Sequence, residues 1–247
     1  MQAARAFYKK YVAVLKLCGF TKSPADPCLM VRRDKLGTVY MALHVDDCYG
    51  VGHPNAVKDA IKKISGHFNL KIKDELLDYL SCKIRFDSNK VKAWLGQPDL
   101  LKKMEKKFGK MVQSNQTYRT PGTPGFGIRS LKEDDKAISS EDQTLYRSGV
   151  GMLLYLVKHS RPDISSAVWE LSNNVSSATE AAFKELERVI KFVLDTKTYG
   201  MKLEPKMDKE DANWAMTVFT DSDWAGDKDD RRSITGYIVF LLGAPIL

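Results

Sequence analysis

The sequence is poor in the residues that bind metals through nitrogen or sulfur and in those that cross-link chains. Its 247 residues include four cysteines and four histidines. Cys18, Cys28, Cys48 and Cys82 form no CxxC pair, and no histidine cluster lies near them. That spacing argues against a structural zinc site and for free thiols in a reducing compartment. His53, His67 and His159 have no metal-ligand spacing and are given no role. No apolar run approaches the roughly 20 residues of a membrane-spanning helix, so no membrane partner is expected. The basic first twenty residues lack a signal-peptide cleavage pattern, which points to an intracellular location. Internal repeats and low-complexity tracts are absent.

What is present is ordinary globular material with a basic bias. Hydrophobic residues make up 43% and charged residues 28%, enough to bury a core and to exclude wholesale disorder. Lys and Arg number 39 against 31 Asp and Glu, a net charge of +8 with a pI near 9.1. A basic balance favours a polyanionic partner, of which nucleic acid is the commonest.

Apolar spacing predicts a helix over Ala3 to Leu17, stopped at Gly19. Cys28 to Arg32 and Thr38 to Val45 read as the strands of a hairpin turned at Asp34 to Gly37. A helix over Pro54 to Phe68 is expected next, then strands over Phe68 to Ile72, Leu80 to Phe86 and Val91 to Leu95. Pro98 to Phe108 reads as a helix with proline at its start and Gly109 at its end. Its Lys102-Lys103 and Lys106-Lys107 pairs form a solvated face or, with nucleic acid bound, a phosphate-contacting one. Thr117 to Gly127 is rich in proline and glycine, and with the polar stretch through Asp142 it is the best linker. Helices are expected at Gln143 to Lys158, Pro162 to Val175 and Thr179 to Lys197, and strands at Met216 to Thr220 and Ile234 to Leu242. Met152 to Leu156 reads as helix core, and Trp169 and Trp224 as packing residues.

The strongest local signal is Leu43-His44-Val45-Asp46-Asp47. Two adjacent carboxylates at the end of an apolar strand repel each other. A bound divalent cation relieves that repulsion, and Mg²⁺ prefers carboxylate oxygens. Strand alternation puts Tyr40, Ala42, His44 and Asp46 on one face and Met41, Leu43 and Val45 on the other, taken as the core side. Asp46 should then project toward the site beside His44, while Asp47 lies at the bend, where the pleat does not fix its direction. Taken alone, the same residues also read as a solvated turn that ends a hairpin.

Further blocks follow in order. They are Gly19-Phe20, the SPADPCLM run from Ser23 to Met30, HVDD with Gly52, and Trp94-Leu95-Gly96-Gln97 with Leu100-Leu101 and Lys107-Phe108-Gly109. Then come the YRSGVGMLLYL run from Tyr146 to Leu156, RPDI from Arg161 to Ile164 with Ala167-Val168, the TDSDWAGD run from Thr220 to Asp227, and Arg231 to Tyr237. Together, and across nearly the whole chain, they resemble copia-type LTR retrotransposon polyproteins, over the C-terminal palm and connection of the reverse transcriptase and the start of its RNase H domain.

That resemblance implies an α+β fold: an antiparallel palm sheet with helices, a helical thumb or connection segment and an incomplete RNase H-like sheet. The implied divisions are a palm fragment over 1–116, a linker over 117–142, a helical segment over 143–205 and a truncated RNase H-like domain over 206–247. Asp46 and Asp47 match the polymerase carboxylates that hold Mg²⁺ at the primer end, and His44 stands primer-proximal where the family has tyrosine. Asp221 matches the first metal-binding aspartate of RNase H, and Asp223 and Asp227 read as supporting residues. The implied partners are an RNA template, a DNA primer, RNA–DNA hybrid and deoxynucleoside triphosphates, and the implied location is the cytoplasm or retrotransposon particles. The family's other polymerase ligand lies upstream of residue 1 and the further RNase H carboxylates downstream of Leu247, so the chain alone is expected to be inactive. A catalytically inactive relic that only binds nucleic acid is the alternative. An unrelated two-metal phosphohydrolase built on His44, Asp46 and Asp47 leaves the later blocks unexplained.

Overall fold

The structure, a computed structural model, describes residues 2–125, 136–206, 215–222, 224 and 233–246. Six α-helices and three antiparallel sheets are formed among these residues. The chain divides into two compact units, Met1–Asp74 and Glu75–Leu247. No described helix is long and apolar enough to cross a membrane.

In the first unit, helix α1 (Gln2–Leu17) ends as its sequence requires. Gly19 adopts φ 89°, its N–H donates to Lys16 O, and the Phe20 N–H donates to Leu15 O. This is a glycine cap, and Phe20 and Leu15 both bury their side chains beneath it. Strands β1 (Thr21–Lys22), β2 (Leu29–Asp34), β3 (Gly37–His44) and β4 (Asp47–Gly52) follow and pair antiparallel in that order. Helix α2 (Pro54–Ser65) packs with α1 against one face of this sheet, around Met30, Val39, Met41 and Leu43. Arg32 is buried between sheet and helix, paired with Asp34 at 3.0 Å and Asp59 at 2.8 Å, and donates to Ala56 O. Phe68 to Ile72 form no strand, contrary to expectation. Phe68 instead places its ring edge-on to Tyr11 at 5.2 Å and near Phe7, so its apolar character serves the α1 packing rather than a sheet.

In the second unit, β5 (Asp78–Tyr79), β6 (Cys82–Phe86), β7 (Ala93–Gly96) and β8 (Met201–Leu203) make a four-stranded sheet in that order. The β5–β6 turn is Leu80-Ser81, both left-handed at φ 48° and 65°. Helices α3 (Pro98–Phe108), α4 (Ser140–His159), α5 (Ser165–Ser172) and α6 (Glu180–Asp195) share one core, in which Phe108, Tyr146, Leu153, Leu156, Leu186 and Val189 are fully enclosed. The expected Pro162 to Val175 helix is split into a 3-10 turn, Pro162–Ile164, and α5. Arg161 explains the split: it is 1% exposed, forks onto both Asp163 oxygens at 2.9 Å, and donates to the Thr196 carbonyl and hydroxyl. Residues 118–123 are fastened to α6, with Thr123 donating its N–H and hydroxyl to Glu185 and the Arg188 guanidinium 4.1 Å from the Tyr118 ring. Strands β9 (Met216–Ser222), β10 (Thr235–Leu241) and β11 (Ala244–Pro245) form the third sheet, with β10 central. Met216, Val218, Phe219 and Tyr237 are exposed on it. Trp224 was expected to pack but is 91% exposed, because it lies past the end of β9 where no described residue covers it.

Candidate functional site

The HVDD residues form the tip of a second hairpin, β3–β4. Its register pairs His44 with Asp47, Leu43 with Cys48, Ala42 with Tyr49 and Tyr40 with Val51. The loop is therefore only Val45-Asp46. Val45 takes φ 54°, the left-handed region that β-branched residues avoid, so backbone strain sits at the carboxylate turn. The turn also corrects two expectations. Val45 is 57% exposed rather than in the core, because the pleat stops at His44. Asp46 lies in the loop and not on the strand face assigned to it.

Cross-strand partners share a face. His44, Ala42 and Tyr40 therefore lie on the same side as Asp47, Tyr49 and Val51, away from the helices. Met41 and Leu43 are buried on the helix side, as alternation requires. Cys48 lies there too: the Tyr11 hydroxyl donates to its sulfur at 3.1 Å. Burial and the neighbouring Cys48 push the Tyr11 phenol well above its ordinary range. At the far end of β4, a Cβ on Gly52 would come within 2.2 Å of Thr38 O, so this close approach requires glycine.

His44, Asp46 and Asp47 are thus brought together, all exposed, in one hairpin of the first unit. Asp221 belongs to the second unit, on the edge strand β9 opposite Gly236. Asp223 and Asp227 lie outside the described residues, as does part of the Arg231 to Tyr237 block. Among the described residues, no three His, Cys, Asp or Glu side chains cluster in a way that could hold a metal. Asp46 and Asp47 offer hard oxygen donors, and Mg²⁺ is commonly held by one or two carboxylates with waters and substrate phosphates completing its shell. The donor set therefore fits that ion as a partial site. Sequence reasoning missed β4 and the Tyr11–Cys48 bond. The alternation of Cys48 and Gly50 with Tyr49 and Val51 was the available signal for the strand.

Comparison with known proteins bears on the same residues. The chain is 30% identical over 246 residues to the Retrovirus-related Pol polyprotein from transposon RE1 of Arabidopsis thaliana, covering 99% of this chain and 16% of that protein. It is 25% identical over 252 residues to the corresponding polyprotein from transposon TNT 1-94 of Nicotiana tabacum, covering 99% of this chain and 18% of that protein. Over nearly its whole length the chain is similar to copia-type Pol polyproteins. A putative transposon Ty5-1 protein of Saccharomyces cerevisiae is 25% identical over 235 residues, covering 94% of this chain and 72% of that protein. The chain spans less than a fifth of the transposon RE1 and TNT 1-94 polyproteins. No family model and no solved structure matches it.

Proposed function

We propose that the chain is part of the reverse transcriptase and RNase H region of a copia-type Pol polyprotein, with the β3–β4 hairpin contributing to the polymerase metal site. One observation supports this reading above the others: a tight, strained hairpin presents two adjacent carboxylates at its tip, in a chain that aligns with Pol polyproteins over 99% of its length. In this reading Met1–Asp74 belongs to a palm, residues 143–205 to the thumb or connection, and the β9–β11 sheet to an RNase H-like domain. The divisions 1–116, 117–142, 143–205 and 206–247 belong to the same proposal.

Asp46 and Asp47 would hold Mg²⁺, which when bound neutralises charge on phosphoryl oxygens during nucleotide transfer. The short hairpin fixes the two carboxylates relative to the open sheet face. His44, paired with Asp47 on that face, would meet the primer backbone. Unlike tyrosine at this position, it can carry a positive charge. Asp221 would serve the RNase H centre. RNA template, DNA primer, RNA–DNA hybrid and deoxynucleoside triphosphates are the proposed partners.

The test is primer extension by the full Pol polyprotein carrying this chain, with Mg²⁺ and an RNA template. Extension that Asp46→Asn abolishes supports the assignment, and undiminished extension in that variant removes it. His44 in place of tyrosine favours the second reading, a nucleic-acid-binding relic. That reading holds if the parent polyprotein binds hybrid but extends no primer until His44→Tyr is introduced, or not at all.

A further inference from the structure

The net charge of +8 is unevenly divided. Met1–Asp74 has 13 Lys and Arg against 6 Asp and Glu, a net +7, whereas Glu75–Leu247 has 26 against 25, a net +1. Within the first unit the excess gathers on the two helices. α1 has four cations and no acidic residue. In α2, Asp59 is the single carboxylate, and Arg32 and Lys63 already engage it. Arg5, Lys9, Lys16, Lys58 and Lys62 are all exposed, and none has an ion pair among the described residues. Helical geometry aligns them. Positions 5, 9 and 16 fall within about 40° of one another around a 3.6-residue turn, and 58 and 62 are likewise one turn apart.

We propose that this α1–α2 surface is a nucleic-acid-binding face, distinct from the carboxylate hairpin. It lies on the helical side of the sheet, whereas His44 and Asp47 share the opposite face. The stripe from Arg5 to Lys16 is about 17 Å long at 1.5 Å rise per residue. A stripe of that length lets its three cations meet phosphates along one strand. The partner is therefore the phosphodiester backbone of RNA or of RNA–DNA hybrid, bound without regard to sequence. An anionic membrane fits less well, because α1 turns Tyr11, Val12 and Leu15 into the core and leaves Leu17 as its one exposed large apolar side chain, too little to insert.

Binding of the whole chain to a short single-stranded RNA, followed across salt concentration, tests this. Each phosphate contact contributes about 0.7 to the log–log salt slope. The combined Lys9→Gln, Lys16→Gln, Lys58→Gln, Lys62→Gln variant should flatten the slope by about 3. The matched variant in and just beyond α3, with Lys102, Lys103, Lys106 and Lys110 each changed to Gln, should change it by less than about 1. An unchanged slope in the first variant, or an equal loss in both, overturns the proposal. Should the first variant fail to fold, acetylation footprinting of the unmodified chain decides the matter. Protection of Lys9, Lys16, Lys58 and Lys62 by bound RNA supports the face, and equal labelling with and without RNA removes it. Tighter binding to phosphatidylserine–phosphatidylcholine vesicles than to RNA, lost in the same variant, would replace the nucleic acid with a membrane.

Discussion

The Tyr11 hydroxyl donates to the Cys48 sulfur at 3.1 Å, tying the first helix to the strand that begins at Asp47. This bond is a polar tether between α1 and the carboxylate hairpin. In a Cys28→Ser background, which removes the other exposed thiol, Tyr11→Phe should lower stability by about 1 kcal/mol, the value of one hydrogen bond. Cys48 should also react faster with a disulfide reagent. Unchanged thiol kinetics would show that the contact does not hold the strand.

The β5–β6 turn stores strain that glycine would relieve. Ser81 adopts φ 65°, and a left-handed residue with a Cβ costs roughly 1–2 kcal/mol. Glycine gives back about 0.5–1 kcal/mol through the freedom it gains in the unfolded chain. Relief outweighs the loss, so Ser81→Gly should raise stability by about 0.5 kcal/mol in urea unfolding. A destabilised variant would mean that the serine side chain, not the backbone, matters at this turn.

Arg161 and Arg147 make opposite predictions for the same exchange. Arg161 is enclosed and uses its planar fork on Asp163 while bonding Thr196. Lysine cannot reproduce that geometry, so Arg161→Lys should cost about 2–3 kcal/mol. Arg147 is exposed and donates only to the Val175 and Ser176 carbonyls, so Arg147→Lys should cost less than about 1 kcal/mol. Equal losses in thermal unfolding would refute the assignment of Arg161 as the organising residue of the α4–α5 junction.

Lys202 and Lys92 hold the Glu204 carboxyl down to about 2, from an ordinary 4.5. A lowered carboxylate stabilises the fold above its unfolded value and loses that contribution as pH falls. Between pH 4.5 and about 2 the native chain should therefore lose stability more steeply than Glu204→Gln, which has no such proton to take up. Parallel curves for the two proteins, followed by denaturant midpoints, would contradict the pairing.

Much of this architecture was legible in the chain because it is written locally. Pro98 and Gly109 bracket α3, and Gly19 stops α1, since these residues act within a single turn. Alternation correctly buried Met41 and Leu43. It failed one step later at Val45, because a two-residue loop is set by strand pairing and not by the pleat. Phe68 misled for the same reason: its apolar neighbours looked like a strand, but its partners, Phe7 and Tyr11, are distant in sequence. Arg161 falls between the helices expected at Gln143 to Lys158 and Pro162 to Val175, and nothing local shows that it also reaches Thr196. At the candidate site, the adjacent carboxylates were visible as a pair. Their setting, with His44 opposite Asp47 and Cys48 tied to Tyr11, depends on strand register and a contact between positions 11 and 48.

β4 is the last strand of its sheet, and its outward residues include Tyr49 and Val51, so its open edge is a template on which a second copy could add a strand. Asp46 and Asp47 stand at the head of that edge and repel the same charges on an incoming copy, as gatekeeper residues do. Replacing both with asparagine to silence the metal site therefore also removes the guard against aggregation. Sedimentation of that variant belongs beside its activity assay, because an insoluble protein and a chemically disabled one give the same blank result.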